Sequence, residues 1–214
     1  MDIPIIYEND EIIIINKPAG LAVQGGEKIT HSLDKDFSQQ LGYKIYLVHR
    51  LDKDTSGLMI VAKNPLAASM WTKLIGSKNV KKEYIAICSG CLKQKKGVID
   101  EDLIQHGAVR KAVTNYAVEE EWEKVFEDQT YRFCKIRLKL ETGRMHQIRI
   151  HLAKNGCPIC GDDQHGDFKL NKQLKKAFKI KQLLLTSQKL EIPLEGQTKV
   201  FEIELPEHMI NQLS

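Results

Sequence analysis

Two short segments concentrate the side chains that chemistry would need. Val48-His49-Arg50-Leu51-Asp52-Lys53-Asp54-Thr55-Ser56-Gly57 is dense in carboxylates and cations, and it runs straight into the apolar stretch Leu58 to Ala62. A polar loop held by a rigid strand is where catalytic groups concentrate, although composition alone favours a plain turn in which Asp52 or Asp54 bonds nearby amides and Gly57 takes positive φ. The second segment is Thr142-Gly143-Arg144-Met145-His146-Gln147-Ile148-Arg149-Ile150-His151. On a helix, His146 and Arg149 would share one face while Met145, Ile148 and Leu152 point to the core. His146 and His151 are five apart with no Glu after the first, so they are not a zincin pair. A third pattern is Cys88-Ser-Gly-Cys91 with Cys157-Pro-Ile-Cys160, two units of the kind that build four-cysteine zinc sites. They stand 65 residues apart, against roughly 15–20 in the usual ribbon. Cys88 also ends the apolar run Tyr84 to Cys88, where cysteine acts as a small hydrophobe. No metal is expected.

The rest of the chain sets the class. Its 214 residues are 42% apolar and 28% charged, which excludes a wholly disordered or fibrous chain. The length predicts one domain over residues 1–214, burying roughly 70% of its unfolded surface. No apolar run approaches the roughly 20 residues that span a bilayer. Asp2, Glu8 and Asp10 stand where a signal peptide would carry positive charge. A cytoplasmic, monomeric protein with no membrane partner is expected. Five cysteines, an odd number, argue against a disulfide framework. The balance of 32 basic and 28 acidic residues gives +4, only mildly basic, so the distribution matters more than the total. Lys81, Lys82, Lys93, Lys95 and Lys96 form one cluster; Lys169, Lys172, Lys175, Lys176, Lys179 and Lys181 form another. Such runs are solvated faces or contacts for an extended polyanion.

The elements that must position these groups follow from periodicity. Ile5 to Tyr7 and Ile12 to Ile15 read as strands around Glu8-Asn9-Asp10, ended by Lys17-Pro18-Ala19-Gly20. Leu58 to Ala62 is a further strand. Asn64 and Pro65 begin a helix with Leu66, Met70, Trp71, Leu74 and Ile75 as its apolar face and Gly76 near its end. From Tyr131 to Leu140 the pattern alternates, with Cys134, Ile136, Leu138 and Leu140 on one side and Phe133, Lys135, Arg137 and Lys139 on the other. A helix follows with Met145, Ile148 and Leu152 as its stripe, ending at Gly156. Strands Leu190 to Ile192 and Val200 to Leu205 join across Glu195-Gly196. Strands outnumber helices and several look antiparallel, so the class is α+β.

Taken together, the dense segments resemble a known family. His49-Arg50-Leu51-Asp52 with Thr55-Ser56-Gly57 resembles the catalytic motif of the RluA family of RNA pseudouridine synthases. Asn16-Lys17-Pro18-Ala19-Gly20-Leu21 is similar to its first motif. Lys82-Glu83-Tyr84-Ile85-Ala86, Thr142-Gly143-Arg144 through His151, and Gly156-Cys157-Pro158-Ile159 with Gly161-Asp162 are similar to later ones. The order matches over about residues 5 to 205. His165 stands before Gly166 where the family commonly has tyrosine, and Leu185-Thr186-Ser187 replaces a Leu-His-Ala. The first motif begins at once, so no S4 RNA-binding domain is expected and RNA contacts should come from the catalytic domain.

The resemblance implies the pseudouridine synthase fold, a mixed, largely antiparallel sheet core with flanking helices. It implies isomerisation of specific uridines in ribosomal or transfer RNA. The reaction breaks the N1–C1′ bond, turns the uracil and rejoins it through C5, with no redox step and hence no cofactor implied. Asp52 matches the essential carboxylate, whether it attacks C1′, adds to C6 or abstracts a ribose proton. Arg149 matches the guanidinium that would orient it through a planar fork, and Tyr84 the aromatic that stacks on the base. Arg50 matches a residue that can fill the vacated stack once the nucleotide is flipped out. His49, Arg144, His146 and Gln147 belong to the same motifs and are candidate substrate contacts, with Arg137 and Lys139 as further backbone contacts. Lys172, Lys176 and Lys179 would lie on one face of a helix over Lys169 to Lys181 and meet RNA phosphates, with Leu170, Leu174 and Phe178 docking it. The competing reading is a noncatalytic RNA-binding module on the same scaffold, against which Asp52 itself argues.

Overall fold

The computed structural model describes residues 2–27 and 29–213. In chain order it places β1 (Ile5–Glu8), β2 (Ile12–Lys17), α1 (Leu33–Leu41), β3 (Tyr46–Leu47), β4 (Ser56–Ala62), α2 (Pro65–Gly76), β5 (Lys81–Ser89), β6 (Lys96–Asp100) and β7 (Leu103–Gln105). There follow β8 (Ala108–Arg110), β9 (Val113–Phe126), β10 (Gln129–Leu140), α3 (Gln147–Lys154), α4 (Phe168–Phe178), β11 (Leu185–Leu194), β12 (Gln197–Glu202) and α5 (Glu207–Ile210). The class is α+β, as the strand count predicts. The chain divides into two compact units, residues 1–82 with 187–204, and residues 83–186 with 205–214. Among the described residues no helix is long and apolar enough to cross a membrane.

In the first unit β2 pairs antiparallel with both β1 and β4, β3 pairs with β4, and β11 pairs with β12. The runs Ile12 to Ile15 and Leu58 to Ala62 are buried on both faces, which is why they read as continuous apolar stretches. Their core joins Ile12, Ile14, Leu58 and Ile60 to Leu190, Ile192 and Trp71. Asn64 caps α2, its side chain accepting the Ala67 N–H at 2.9 Å, with Pro65 in the first turn. The buried arc of α2 falls on Ala67 and Trp71 rather than on Leu66 and Met70. Leu66 is 83% exposed, because the helix is rotated one position from the face the spacing predicts. Glu195 and Gly196 both take positive φ, the two-residue turn that joins β11 to β12, and β12 ends at Glu202, short of Leu205.

The second unit is built on β10, which pairs antiparallel with β5 on one side and β9 on the other, and β9 carries β6. The predicted alternation of β10 holds from Cys134 to Leu138, with Cys134, Ile136 and Leu138 fully buried. Phe133, expected on the outer side, is instead buried against the rings of Trp122 and Phe178, and Leu140 is only half-buried. Its other face is basic but already neutralised. Arg137 pairs with Glu119 and Glu83, Lys139 with Glu83 and Lys135 with Glu119. α3 begins at Gln147, because His146 sits in the left-handed region at φ 53° and cannot belong to the helix. Met145 therefore lies outside it and is exposed, while Ile148 and Leu152 take up the core positions. α4 is capped by Asp167, whose side chain accepts the amides of Lys169 and Leu170, and buries Leu174.

Candidate active site

The loop that carries Asp52 is fastened at several points within the first unit. His49 sends its Nε2 back to accept the Ile60 N–H of β4 at 3.0 Å. An accepting ring nitrogen carries no proton. Burial, with the positive charge of Lys82 nearby, holds this imidazole well below its ordinary pKa. His49 is thus a neutral clamp between loop and strand rather than the substrate contact expected from its motif. The Asp52 carbonyl closes a turn by accepting the Thr55 N–H at 3.2 Å. Lys53 offers its carbonyl to Gly20 N–H at 2.9 Å and to the Lys17 ammonium at 3.0 Å. Leu51 is buried, Asp52 is half-buried and Arg50 is exposed, so the loop presents Arg50 outward beside a rigidly seated Asp52.

Lys17 is the residue that sequence reasoning passed over here. It is fully buried at the end of β2, and its three N–H groups meet three carbonyls, Pro18 at 2.8 Å, Leu21 at 2.9 Å and Lys53 at 3.0 Å. Burial lowers its pKa to about 8, partly opposed by the carboxylates of Asp54 and Asp52. A lysine closing an apolar strand directly before proline was the available signal. Lys17→Met leaves three buried carbonyls without their donor, so about 3 kcal/mol and roughly 6–12 °C of Tm should be lost. Turnover should fall with it. Thermal unfolding and a rate measured on the same preparation check this, and wild-type values for both would show that the loop stands without the ammonium.

In the second unit Arg149 is buried on α3 and forks onto Asp162, with Nε to Oδ2 at 2.8 Å and Nη2 to Oδ1 at 2.6 Å. Asp162 Oδ1 also accepts the amides of Gln164 at 3.0 Å and His165 at 3.1 Å. Burial alone would raise the Asp162 carboxyl, but the Arg149 fork and these amides outweigh it and hold the group below its usual range. Gly161, just before Asp162, lets the chain pass close to the Gln182 backbone: its φ is +76°, and a Cβ there would stand 2.1 Å from the Gln182 carbonyl oxygen. Asp162 is therefore what aims the Arg149 guanidinium. Its motif was visible in the sequence, its role was not.

Gln147 requires a correction. It is buried, and its side-chain amide makes four hydrogen bonds inside the protein. The oxygen accepts from Thr142 Oγ1 and the Arg144 N–H, and the nitrogen donates to the Val113 carbonyl and Thr114 Oγ1. That exhausts an amide's capacity, so Gln147 ties α3 to β9 and has nothing left for substrate. His146 and His165 share a hydrogen bond of 2.8 Å between Nδ1 and Nε2. His165, the departure from tyrosine, thus supplies a partner to His146. Arg144 is exposed, its Nε donating to the Lys111 carbonyl at 3.0 Å. Tyr84 is buried on β5, directly across from Leu138 of β10.

The basic cluster on α4 is less uniform than its spacing suggests. Lys172 is exposed, with its ammonium 5.9 Å from the Phe168 ring centre. Lys176 is claimed by both carboxylate oxygens of Glu127 at 3.0 Å. Lys179 lies past the helix as its left-handed cap. Metal donors gather elsewhere in this unit, where the sulfurs of Cys88, Cys134 and Cys157 come within 4.8 Å of one another.

Comparison with known proteins agrees with this picture. A family model described as RNA pseudouridylate synthase matches residues 11–154. The chain is 36% identical over 203 residues to the ribosomal large subunit pseudouridine synthase C of Rickettsia bellii, covering 90% of this chain and 67% of that one. It is 30% identical over 237 residues to the ribosomal large subunit pseudouridine synthase D of Haemophilus influenzae, covering 98% and 69% respectively. The solved structure of human RNA Pseudouridylate Synthase Domain Containing 4 matches with a TM-score of 0.77 at 25% identity, over 98% of this chain and 91% of that one.

Proposed function

The chain belongs to the RluA-type family of RNA pseudouridylate synthases, and on that premise we propose that it modifies ribosomal RNA, with Asp52 as its essential carboxylate. The reaction is the isomerisation of uridine in RNA to pseudouridine. It needs one fixed carboxylate at the glycosidic bond. The observation that carries the assignment is the seating of Asp52: Lys17 and His49 fasten its loop through partly buried hydrogen bonds. A site held this rigidly keeps its reacting group in place without ordering it anew at each turnover.

The target atom is out of reach inside a helix, so the nucleotide must leave its stack at a cost of a few kcal/mol. Arg50, exposed beside Asp52, is the residue to occupy the vacated space. The family resemblance assigns Tyr84 the aromatic surface for the base and Arg149, whose fork is on Asp162, the orienting guanidinium. The ribosomal substrate is supported by the names of the bacterial relatives. We infer a monomer acting in the cytoplasm, as its sequence predicts. Pseudouridine mapping of ribosomal and transfer RNA from cells with and without the gene tests the substrate. Loss of modification at one or a few ribosomal uridines is expected; loss confined to transfer RNA would overturn the ribosomal assignment.

The α4 lysines give a second measurable expectation. Each phosphate neutralised by a lysine adds up to about 0.7–0.9 to the log–log salt slope of binding. Lys176 is already held by Glu127, so it should contribute less than Lys172 or Lys179. Replacing all three by Gln should flatten the slope by up to about 2, with turnover at saturating RNA barely changed. Filter binding over a salt series reads this directly. A slope equal to wild type would make α4 a solvated face and move the RNA elsewhere.

A further inference from the structure

The two Cys-x-x-Cys units lie far apart in sequence but adjacent in the fold. The loop after α3 runs along the end of β5: Ser89 N–H donates to the Pro158 carbonyl at 2.9 Å, and Cys160 N–H to the Ile87 carbonyl at 3.0 Å. Gly90 turns the chain at φ +78°, and a Cβ there would sit 3.2 Å from the Gly156 carbonyl oxygen, so the close approach depends on glycine. A third strand completes the arrangement. Cys134 of β10 is the direct cross-strand partner of Cys88 on β5, which turns both side chains to one face. Three separate segments thereby aim their thiols at one another. The sulfurs of Cys88, Cys134 and Cys157 lie within 4.8 Å of each other and are buried, with Cys134 to Cys157 at 3.4 Å. Cys91, half-buried, carries the fourth sulfur, which lies 3.8 Å from the carbonyl oxygen of Phe133, the residue directly before Cys134.

We propose that Cys88, Cys91, Cys134 and Cys157 form a structural thiolate site for a soft, tetrahedral divalent cation, with Zn²⁺ the natural occupant. In such a site the metal–sulfur bonds are about 2.3 Å, which sets the sulfurs about 3.8 Å apart. Cys134 and Cys157, at 3.4 Å, stand slightly inside that value, and the three buried sulfurs all lie within about 1 Å of it, so for these three binding asks for shifts of no more than about one ångström. Packing alone gives a weaker account. Buried cysteine behaves as a small hydrophobe with a feeble S–H donor, and nothing about that role brings three sulfurs from three segments into mutual contact. Half-buried Cys91 gives the cation a way in, and the thiols release their protons as it binds. Four protein ligands close the coordination shell, so the role is structural. The loop beginning at Cys157 is the one that carries Asp162, so the metal would fasten the segment that aims Arg149.

Chelator-treated full-length protein, kept reduced, is titrated with cadmium chloride, and the thiolate-to-metal charge-transfer absorbance is followed in the ultraviolet. A sharp break at about one equivalent per chain is expected. Elemental analysis of protein expressed with added zinc should find about one zinc per chain. Cys160→Ala should keep the break, since Cys160 lies outside the proposed four, whereas Cys134→Ser should lose it. Wild-type protein that is folded by circular dichroism, reduced, and shows neither band nor bound metal would overturn the proposal. A Cys134→Ser variant that still saturates at one equivalent would overturn it as well. None of these readings involves turnover, so failure of the metal site and failure of the synthase assignment are separable.

Discussion

Asp52→Asn is expected to abolish turnover while leaving RNA binding within about tenfold, or 1.4 kcal/mol, of wild type. The substitution keeps the shape of the side chain and removes its negative charge, and with it the capacity to act as nucleophile or base. The bonds that seat the loop should survive it, because they use the Asp52 and Lys53 carbonyls, the Lys17 ammonium and the His49 ring. Loss of the one group that reacts should cost on the order of 10⁴-fold or more, equivalent to roughly 5.4 kcal/mol of transition-state stabilisation. Single-turnover formation of pseudouridine, measured beside RNA affinity and Tm, separates the two effects. Persistent product from a clean Asp52→Asn preparation would sink the assignment. A lost rate accompanied by a collapsed Tm would instead show that the carboxylate holds the loop together.

The sequence exposes what is local and hides what is long-range. Ile12 to Ile15 and Leu58 to Ala62 announce buried strands, and Asn64-Pro65 announces a helix start, because each depends on a few neighbouring side chains. Asp52 stands out for the same reason, in a polar loop feeding an apolar strand. The hairpin of β9 and β10 is different. Its turn at Glu127 and Asp128 takes positive φ at both residues without glycine, so the usual punctuation is missing. His49 and Gln147 looked like substrate contacts because polar residues in a motif invite that reading. Their partners Ile60, Val113 and Thr114 are brought in by strand positions that spacing does not reveal. The cysteines show the same limit: a gap of 65 residues disqualifies a zinc ribbon, yet sheet register can close any gap.

Arg149→Lys should prove far from conservative, on two grounds that different instruments read. The planar guanidinium meets both oxygens of Asp162, and an ammonium cannot reproduce that fork. A misplacement of about 1 Å at a positioning group costs on the order of 10²-fold in rate, so turnover should fall at least that far. The structural penalty is separate. Breaking a buried pair by weakening one partner costs roughly 3–5 kcal/mol at the limit, and a lysine that keeps one contact should lose part of it. The pH dependence carries the signature. In the wild type Asp162 is held below the ordinary carboxylate range, after its burial penalty is outweighed by Arg149 and the amides of His165 and Gln164. A depressed carboxylate contributes stability that is present above its unfolded pKa and is lost as pH falls through its folded value. Weakening the fork raises the folded value, so the acid-unfolding midpoint of Arg149→Lys should move to higher pH. Arg149→Lys with normal turnover but a raised acid midpoint would confine Arg149 to holding Asp162, and Arg50 would then be the guanidinium left to serve Asp52. If turnover falls and the acid midpoint stays fixed, the fork to Asp162 is not what keeps the arginine in place.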